Sequence, residues 1–169
     1  MNYGQSFIQQ LLEFLVNEKP DAKENKQFKF DAVIDQIKVQ INLSDFDKFS
    51  FVIDRIEICG LDGHRQTITA DKLKQRGELI VSKLTYLLEA IQPVELDAHN
   101  LKLLLRSRSP ENNQTTISYF EMLMEATGRV SLQRYRYDKG EETRTPVPFH
   151  LTKDVLIKLI NDIVDVIRC

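Results

Sequence analysis

The chain has 169 residues, 42% of them hydrophobic, with a formal net charge of -2 and a pI near 5.9. That is one domain's length, with enough apolar residues to bury about 70% of the unfolded chain's surface, and a balance too acidic for a dedicated nucleic-acid binder, which needs a basic footprint to release counterions. Two cysteines without a CxxC spacing argue against a disulfide framework or a zinc ribbon, and no run of about 18 uncharged apolar residues is present to span a bilayer.

The opening stretch has no basic region ahead of its apolar residues, so it does not read as a signal peptide, and a reducing cytoplasm is the expected location. Ser6 to Asn17 reads as a helix, because Phe7, Ile8, Leu11, Leu12 and Leu15 recur at three- and four-residue spacing. Phe14 and Val16 widen that stripe. A polar connector containing Pro20 follows.

From Phe28 to Cys59 the apolar residues alternate, which is a strand pattern. Within it Val33-Ile34-Asp35-Gln36-Ile37-Lys38-Val39 returns nineteen residues later as Val52-Ile53-Asp54-Arg55-Ile56-Glu57-Ile58. In both copies the apolar parity slips by one at the aspartate. A β-bulge at each aspartate restores the facing and is the expected explanation. The first copy also fits a short helix capped by Asp31. Asp35 and Asp54 could be read as a catalytic or metal-binding pair. No histidine, glycine-rich loop or further ligand lies near them in sequence, so they are expected to be structural.

Leu61-Asp62-Gly63-His64 predicts a type I′ turn, followed by a short strand from Arg65 to Thr69. A long helix is predicted from there to about Ile91, with Leu73, Gly77, Ile80, Leu84, Leu87, Leu88 and Ile91 as its buried stripe. Glycine inside a helix costs about 1 kcal/mol against alanine, and a close backbone approach at Gly77 would offset it. After Pro93 the chain reads as a meander of strands. One carries Leu101, Leu103 and Leu105; the next carries Phe120, Met122 and Met124. A third runs from Val130 to Tyr137, and a fourth carries Val147, Phe149 and Leu151. Pro146 and Pro148 mark the fourth as an edge strand. A last helix, Thr152 to Arg168, has its stripe at Val155, Leu156, Leu159, Ile160, Ile163, Val164 and Ile167.

Ile68-Thr69-Ala70-Asp71-Lys72-Leu73 and Leu151-Thr152-Lys153-Asp154-Val155-Leu156 open the last two helices in the same way, with threonine as N-cap. The expectation is a single domain of α+β class: an antiparallel curved sheet with helices mainly on one face. It would contain two hairpin-plus-helix units, residues 26–91 and 92–169. The order of helix, strands, helix, strands, helix resembles that of small acidic secretion chaperones, from which the extra strands of the second half depart.

Asp62, His64, Asp97 and His99 are metal-ligating types, but the turn accounts for Asp62 and two-residue Asp–His spacing is common. No metal, cofactor or catalytic residue is assigned. Walker, GxSxG, HExxH, Rossmann and EF-hand patterns do not occur. Arg106, Arg134, Tyr135, Arg136 and Tyr137 form an arginine- and tyrosine-rich stretch suited to an interface. Residues 92–169 nevertheless hold eleven basic and eleven acidic side chains, so nucleic acid is not the favoured partner. Lys102 and Arg106 are expected to pair across strands with Glu121 and Glu125. Phe120, Met122, Met124 and Phe149 are either core or the lining of an apolar pocket. The leading expectation is a non-enzymatic protein-binding or adaptor protein, chaperone-like, with another polypeptide as partner, compatible with a homodimer and with no membrane partner. The alternative is a carrier of a small apolar ligand between sheet and C-terminal helix. An enzyme with a distributed site around Asp97 and His99 comes third.

Overall fold

A computed structural model describes residues 1–17, 27–61 and 68–169. Helix α1 spans Tyr3–Asn17. It begins ahead of the predicted Ser6 because Asn2 caps it, its Oδ1 accepting from the Gln5 N–H at 2.9 Å. Phe7, Ile8, Leu11 and Leu15 are buried, as their spacing predicts, and Phe14 packs half-buried on Phe30, 5.1 Å between ring centroids.

Strands β1 (Phe28–Ile34) and β2 (Ile37–Phe46) form a tight hairpin with Ile34 opposite Ile37. The first of the two repeated stretches is therefore a turn rather than a bulged strand or a helix. Asp35 and Gln36 have φ of 44° and 64°, the type I′ geometry usually reserved for asparagine and glycine. Tertiary contacts hold this conformation. The Asp35 carboxylate accepts from the Tyr3 hydroxyl at 2.8 Å and from Arg168 at 2.7 Å, and Arg168 also donates to the Asp35 carbonyl. The second copy lies in β3 (Ser50–Gly60) and does carry a bulge. Arg55 pairs with Asn42 and Ile53 with Leu43, which leaves Asp54 as the extra residue. Asp54 accepts from the Ser44 hydroxyl. The two aspartates thus share a sequence setting and not a structural one. The predicted turn and strand at residues 62–67, with Asp62 and His64, lie outside the described residues.

Helix α2 spans Ala70–Lys83 and stops well short of Ile91. Leu84 and Leu87 are buried as their helical spacing requires, but Leu88 is 91% exposed and Ile91 opens strand β4 (Ile91–Asp97). Pairing decides the matter. Ile91 sits opposite Ser107 of strand β5 (Lys102–Ser107), and the Arg108 N–H donates to the Ala90 carbonyl at 2.7 Å. Gly77 does meet a close neighbour, since a Cβ there would lie 2.2 Å from Leu103 Cδ2.

Strand β6 (Glu111–Asn112) pairs with β7 (Thr116–Glu125), which pairs with β8 (Arg129–Asp138). The expected fourth strand of the meander is two, β9 (Thr143–Val147) and β10 (Phe149–Thr152), with Pro148 between them. Helix α3 (Lys153–Arg168) follows. Thr69 and Thr152 cap α2 and α3, each accepting from the N–H three residues on at 3.3 Å.

The strands form one curved, open antiparallel sheet in the order β1-β2-β3-β8-β7-β5-β4. Its centre is a fork. Ile56–Cys59 of β3 pair with β8 at Leu132–Arg129, and beyond that the two strands part. Strand β9 descends along β8 to Val147, opposite Arg134; the chain turns at Pro148; and β10 ascends along β3 from Phe149, opposite Ile53. Among the described residues β9, which carries Pro146, therefore has one strand neighbour, and Pro148 lies in the turn between the two pieces, positions where a missing N–H is tolerated. The helices pack mainly on one face, over Ile37, Val39, Ile41, Ile53, Ile56, Ile58, Leu103, Leu105, Met122 and Leu132. Helix α3 touches α1, α2, β3 and β10. It crosses α1 so closely that a Cβ on Gly4 would lie 2.2 Å from the Ile157 carbonyl oxygen. The Gly4 N–H donates to Asn161 Oδ1 at 2.9 Å in the same contact.

Candidate protein-binding face

The pleat of the sheet divides the predicted arginine- and tyrosine-rich stretch in two. Successive side chains of β8 point to opposite faces, so Arg134 and Arg136 share the helix-covered side with Leu132, while Tyr135 and Tyr137 face away. Arg106 of β5 shares the outward side with them through Glu121 and Tyr119 of β7. The structure therefore joins Arg106, Tyr135 and Tyr137 on one surface and removes Arg134 and Arg136 from it.

Arg134 is part of the interior. Its side chain is 12% exposed, lies 4.8 Å above the Phe120 ring, and donates to Glu89 at 2.8 Å and Glu111 at 3.1 Å. Glu89 also accepts from the Ser107 hydroxyl, and Ser107 Oγ accepts from the Phe120 N–H at 2.7 Å. This chain of bonds ties the segment after α2 to β5, β7 and β8. Arg136 is exposed one step further along β8. Phe120, Met122, Met124 and Phe149 are buried, with Phe120 and Phe149 in edge-to-face contact at 5.2 Å. Three surface depressions are lined by Cys59, Glu125, Thr127 and Arg129, by Gln40, Asn42, Arg55 and Glu57, and by Lys48, Phe49, Thr152, Lys153 and Asp154. Those four apolar residues line none of the three.

The outward surface is built on registers that bring distant residues together. Tyr119 lies opposite Tyr135, Arg106 opposite Glu121, and Arg144 of β9 opposite Tyr137. The Arg144 guanidinium stacks 3.6 Å from the Tyr135 ring centre and 5.8 Å from that of Tyr119. Arg106 approaches the Tyr119 ring to 5.4 Å. Glu121 accepts from both arginines, from Arg106 Nε at 2.9 Å and Arg144 Nη2 at 2.7 Å. The Tyr135 hydroxyl donates to Gln133 Oε1 at 3.0 Å. Burial against the rings pulls the Arg144 guanidinium down, but the hydrogen bond and charge of Glu121 outweigh it and raise its pKa. The pairings of Lys102 with Glu125 (3.8 Å) and Arg106 with Glu121 are those the sequence predicts. Arg144 belongs to the concentration of arginines in the second half of the sequence but is not among the residues assigned to the interface stretch. Its further signal is a position after a turn, facing back along an Arg-Tyr strand.

Chemically this is a flat amphipathic surface. Two planar cations are held in place by one carboxylate and two rings, and each guanidinium has more N–H donors than Glu121 accepts. No helix covers it among the described residues. Asp97, the last residue of β4, accepts from the N–H groups of His99 and Asn100 and shapes the turn that follows, in which His99 lies. Among the described residues no group of three or more histidine, cysteine, aspartate or glutamate side chains is placed to hold a metal ion. Among the described residues no helix is long and apolar enough to cross a membrane. Set against known protein families, curated protein sequences and solved structures, the chain matches none of them.

Proposed function

We propose that the protein is a non-enzymatic adaptor that binds an acidic segment of another polypeptide on the surface formed by Arg106, Tyr119, Tyr135 and Arg144. The observation carrying this reading is the Arg144–Tyr135 stack on an uncovered sheet face. Arginine and tyrosine are the residues that dominate binding energy at interfaces, and here their rotamers are fixed before any partner arrives. Two arginines against the single carboxylate of Glu121 leave that patch cationic, which suits an acidic segment.

A photo-crosslinking residue at Tyr137, on the rim of the surface, tests this in the native host. The expected result is a discrete adduct with another polypeptide that disappears when Arg144→Glu or Tyr119→Ala is added. A crosslinker at the exposed Lys74 of α2 should not form it. An adduct that survives both substitutions, or that forms equally from Lys74, would refute the assignment.

A further inference from the structure

The sheet has open edges, and they are protected unequally. The outer edge of β4 carries Pro93, a register irregularity at Val94 and the acidic Glu95. Strand β9 carries Pro146. Each of these devices obstructs pairing with another chain. Strand β1 has neither a proline nor a bulge along its seven residues. Among the described residues β2 is its one strand neighbour.

The hairpin geometry says which groups of β1 face away from β2. The two-residue turn closes on the Ile34–Ile37 pair, and hydrogen-bonded pairs then alternate along an antiparallel ladder. Even-numbered residues bond to β2. Lys29, Asp31 and Val33 direct their N–H and C=O groups to the open edge. All three are exposed, Val33 at 55%.

We infer that β1 pairs with β1 of a second copy of the chain, antiparallel about a two-fold axis at Phe30, with Lys29 of each copy opposite Asp31 of the other. The charge pattern selects this register. Moving the axis to Asp31 would place the two Asp31 carboxylates face to face, which is unfavourable. With the axis at Phe30, opposite charges meet twice, and Lys29 and Asp31 exchange backbone bonds as a hydrogen-bonded pair. The apolar side is matched too. Phe28 falls opposite Ala32 of the second copy and Phe30 opposite Phe30, beneath Phe14, which in each copy already packs on its own Phe30. Asp31 also lies 3.4 Å from Lys38 of its own chain, so in the dimer it is held between two lysines. The two sheets become one, and the Arg144–Tyr135 faces remain uncovered in both copies.

Sedimentation equilibrium of the full chain at concentrations up to about 100 μM tests this. The expected wild-type mass is twice 19.7 kDa. Lys29→Glu puts like charges opposite each other at two places and should weaken self-association at least about tenfold. The double variant Lys29→Glu, Asp31→Lys restores opposite pairing and should restore the dimer. Circular dichroism of each variant confirms that the fold is kept. A wild-type protein that stays monomeric throughout overturns the inference. So does a dimer indifferent to Lys29→Glu, or a folded charge-swapped variant that stays monomeric.

Discussion

Gly4→Ala should destabilise the fold far more than its place near the start of a helix suggests. The added Cβ would stand 2.2 Å from the Ile157 oxygen, 2.7 Å from its Cα and 2.8 Å from its carbonyl carbon. Favourable contacts between such atoms begin at about 3.5 Å, so α1 and α3 must part by roughly 1 Å. All three neighbours are backbone, and no rotamer change relieves them. Overpacking of this kind costs about 1–3 kcal/mol. Loss of the bond from the Gly4 N–H to Asn161 adds about 1 kcal/mol. The intrinsic helix preference of alanine returns less than about 1 kcal/mol. The net is about 2 kcal/mol, or a fall in Tm of about 4–8 °C for a chain of this length. Urea denaturation should show a lower midpoint with an unchanged slope. Gly77→Ala is the internal control. Its Cβ meets a methyl of Leu103, the end of a side chain that can rotate, and its helix-interior position gives the full preference for alanine. It should stay within about 1 kcal/mol of wild type. The reasoning fails if Gly4→Ala matches wild type, or if Gly77→Ala proves the more damaging of the two.

Arg134→Met should cost about 3 kcal/mol, because it strands Glu89, itself 10% exposed, without its cationic partner; adding Glu89→Gln should recover part of the loss in the same denaturation assay. The Tyr86 hydroxyl, half-buried and donating to Asp162 at 2.9 Å, has its pKa raised above the ordinary 10.0, chiefly by desolvation. The unfolded chain then releases that proton first, so stability present below about pH 10 is lost as pH rises beyond it, and Tyr86→Phe should flatten this alkaline limb in thermal melts. Asp47, Asp97 and Asp138 each accept backbone N–H groups in turns, and their pKa values are lowered from 3.8 mainly for that reason. Their contribution is present above pH 3.8 and lost as pH falls below it; replacing all three with asparagine should flatten the acid limb.

The sequence was most legible where spacing and partner lie on one element or on neighbouring strands. The stripe of α3, the threonine caps, the bulge at Asp54 and the Arg106–Glu121 pair all follow from local periodicity. It was least legible where a distant residue decides. Asp35-Gln36 can hold a type I′ turn without glycine because Tyr3 and Arg168 reach it from the two ends of the described chain. Helix α2 ends at Lys83 although Leu84 and Leu87 keep the helical spacing, because Ile91 is claimed by a strand and Glu89 by Arg134. The candidate face shows both cases. Arg106, Tyr135 and Tyr137 are visible as interface-type residues in the sequence, but the pleat discards Arg134 and Arg136, and the register of β9 supplies Arg144.

The contact between α1 and α3 also sets an order of events during synthesis. Gly4 and Asn161 bond across 157 residues, and Arg168 reaches Asp35 across 133. At about 5–20 residues per second, α1 waits roughly 8–30 s for the helix that buries it. Throughout that interval Phe7, Ile8, Leu11 and Leu15 have no α3 to cover them, and the type I′ turn lacks the arginine that fixes it. Helix α1, with the first hairpin behind it, is therefore the stretch that needs shielding while the rest of the chain is made.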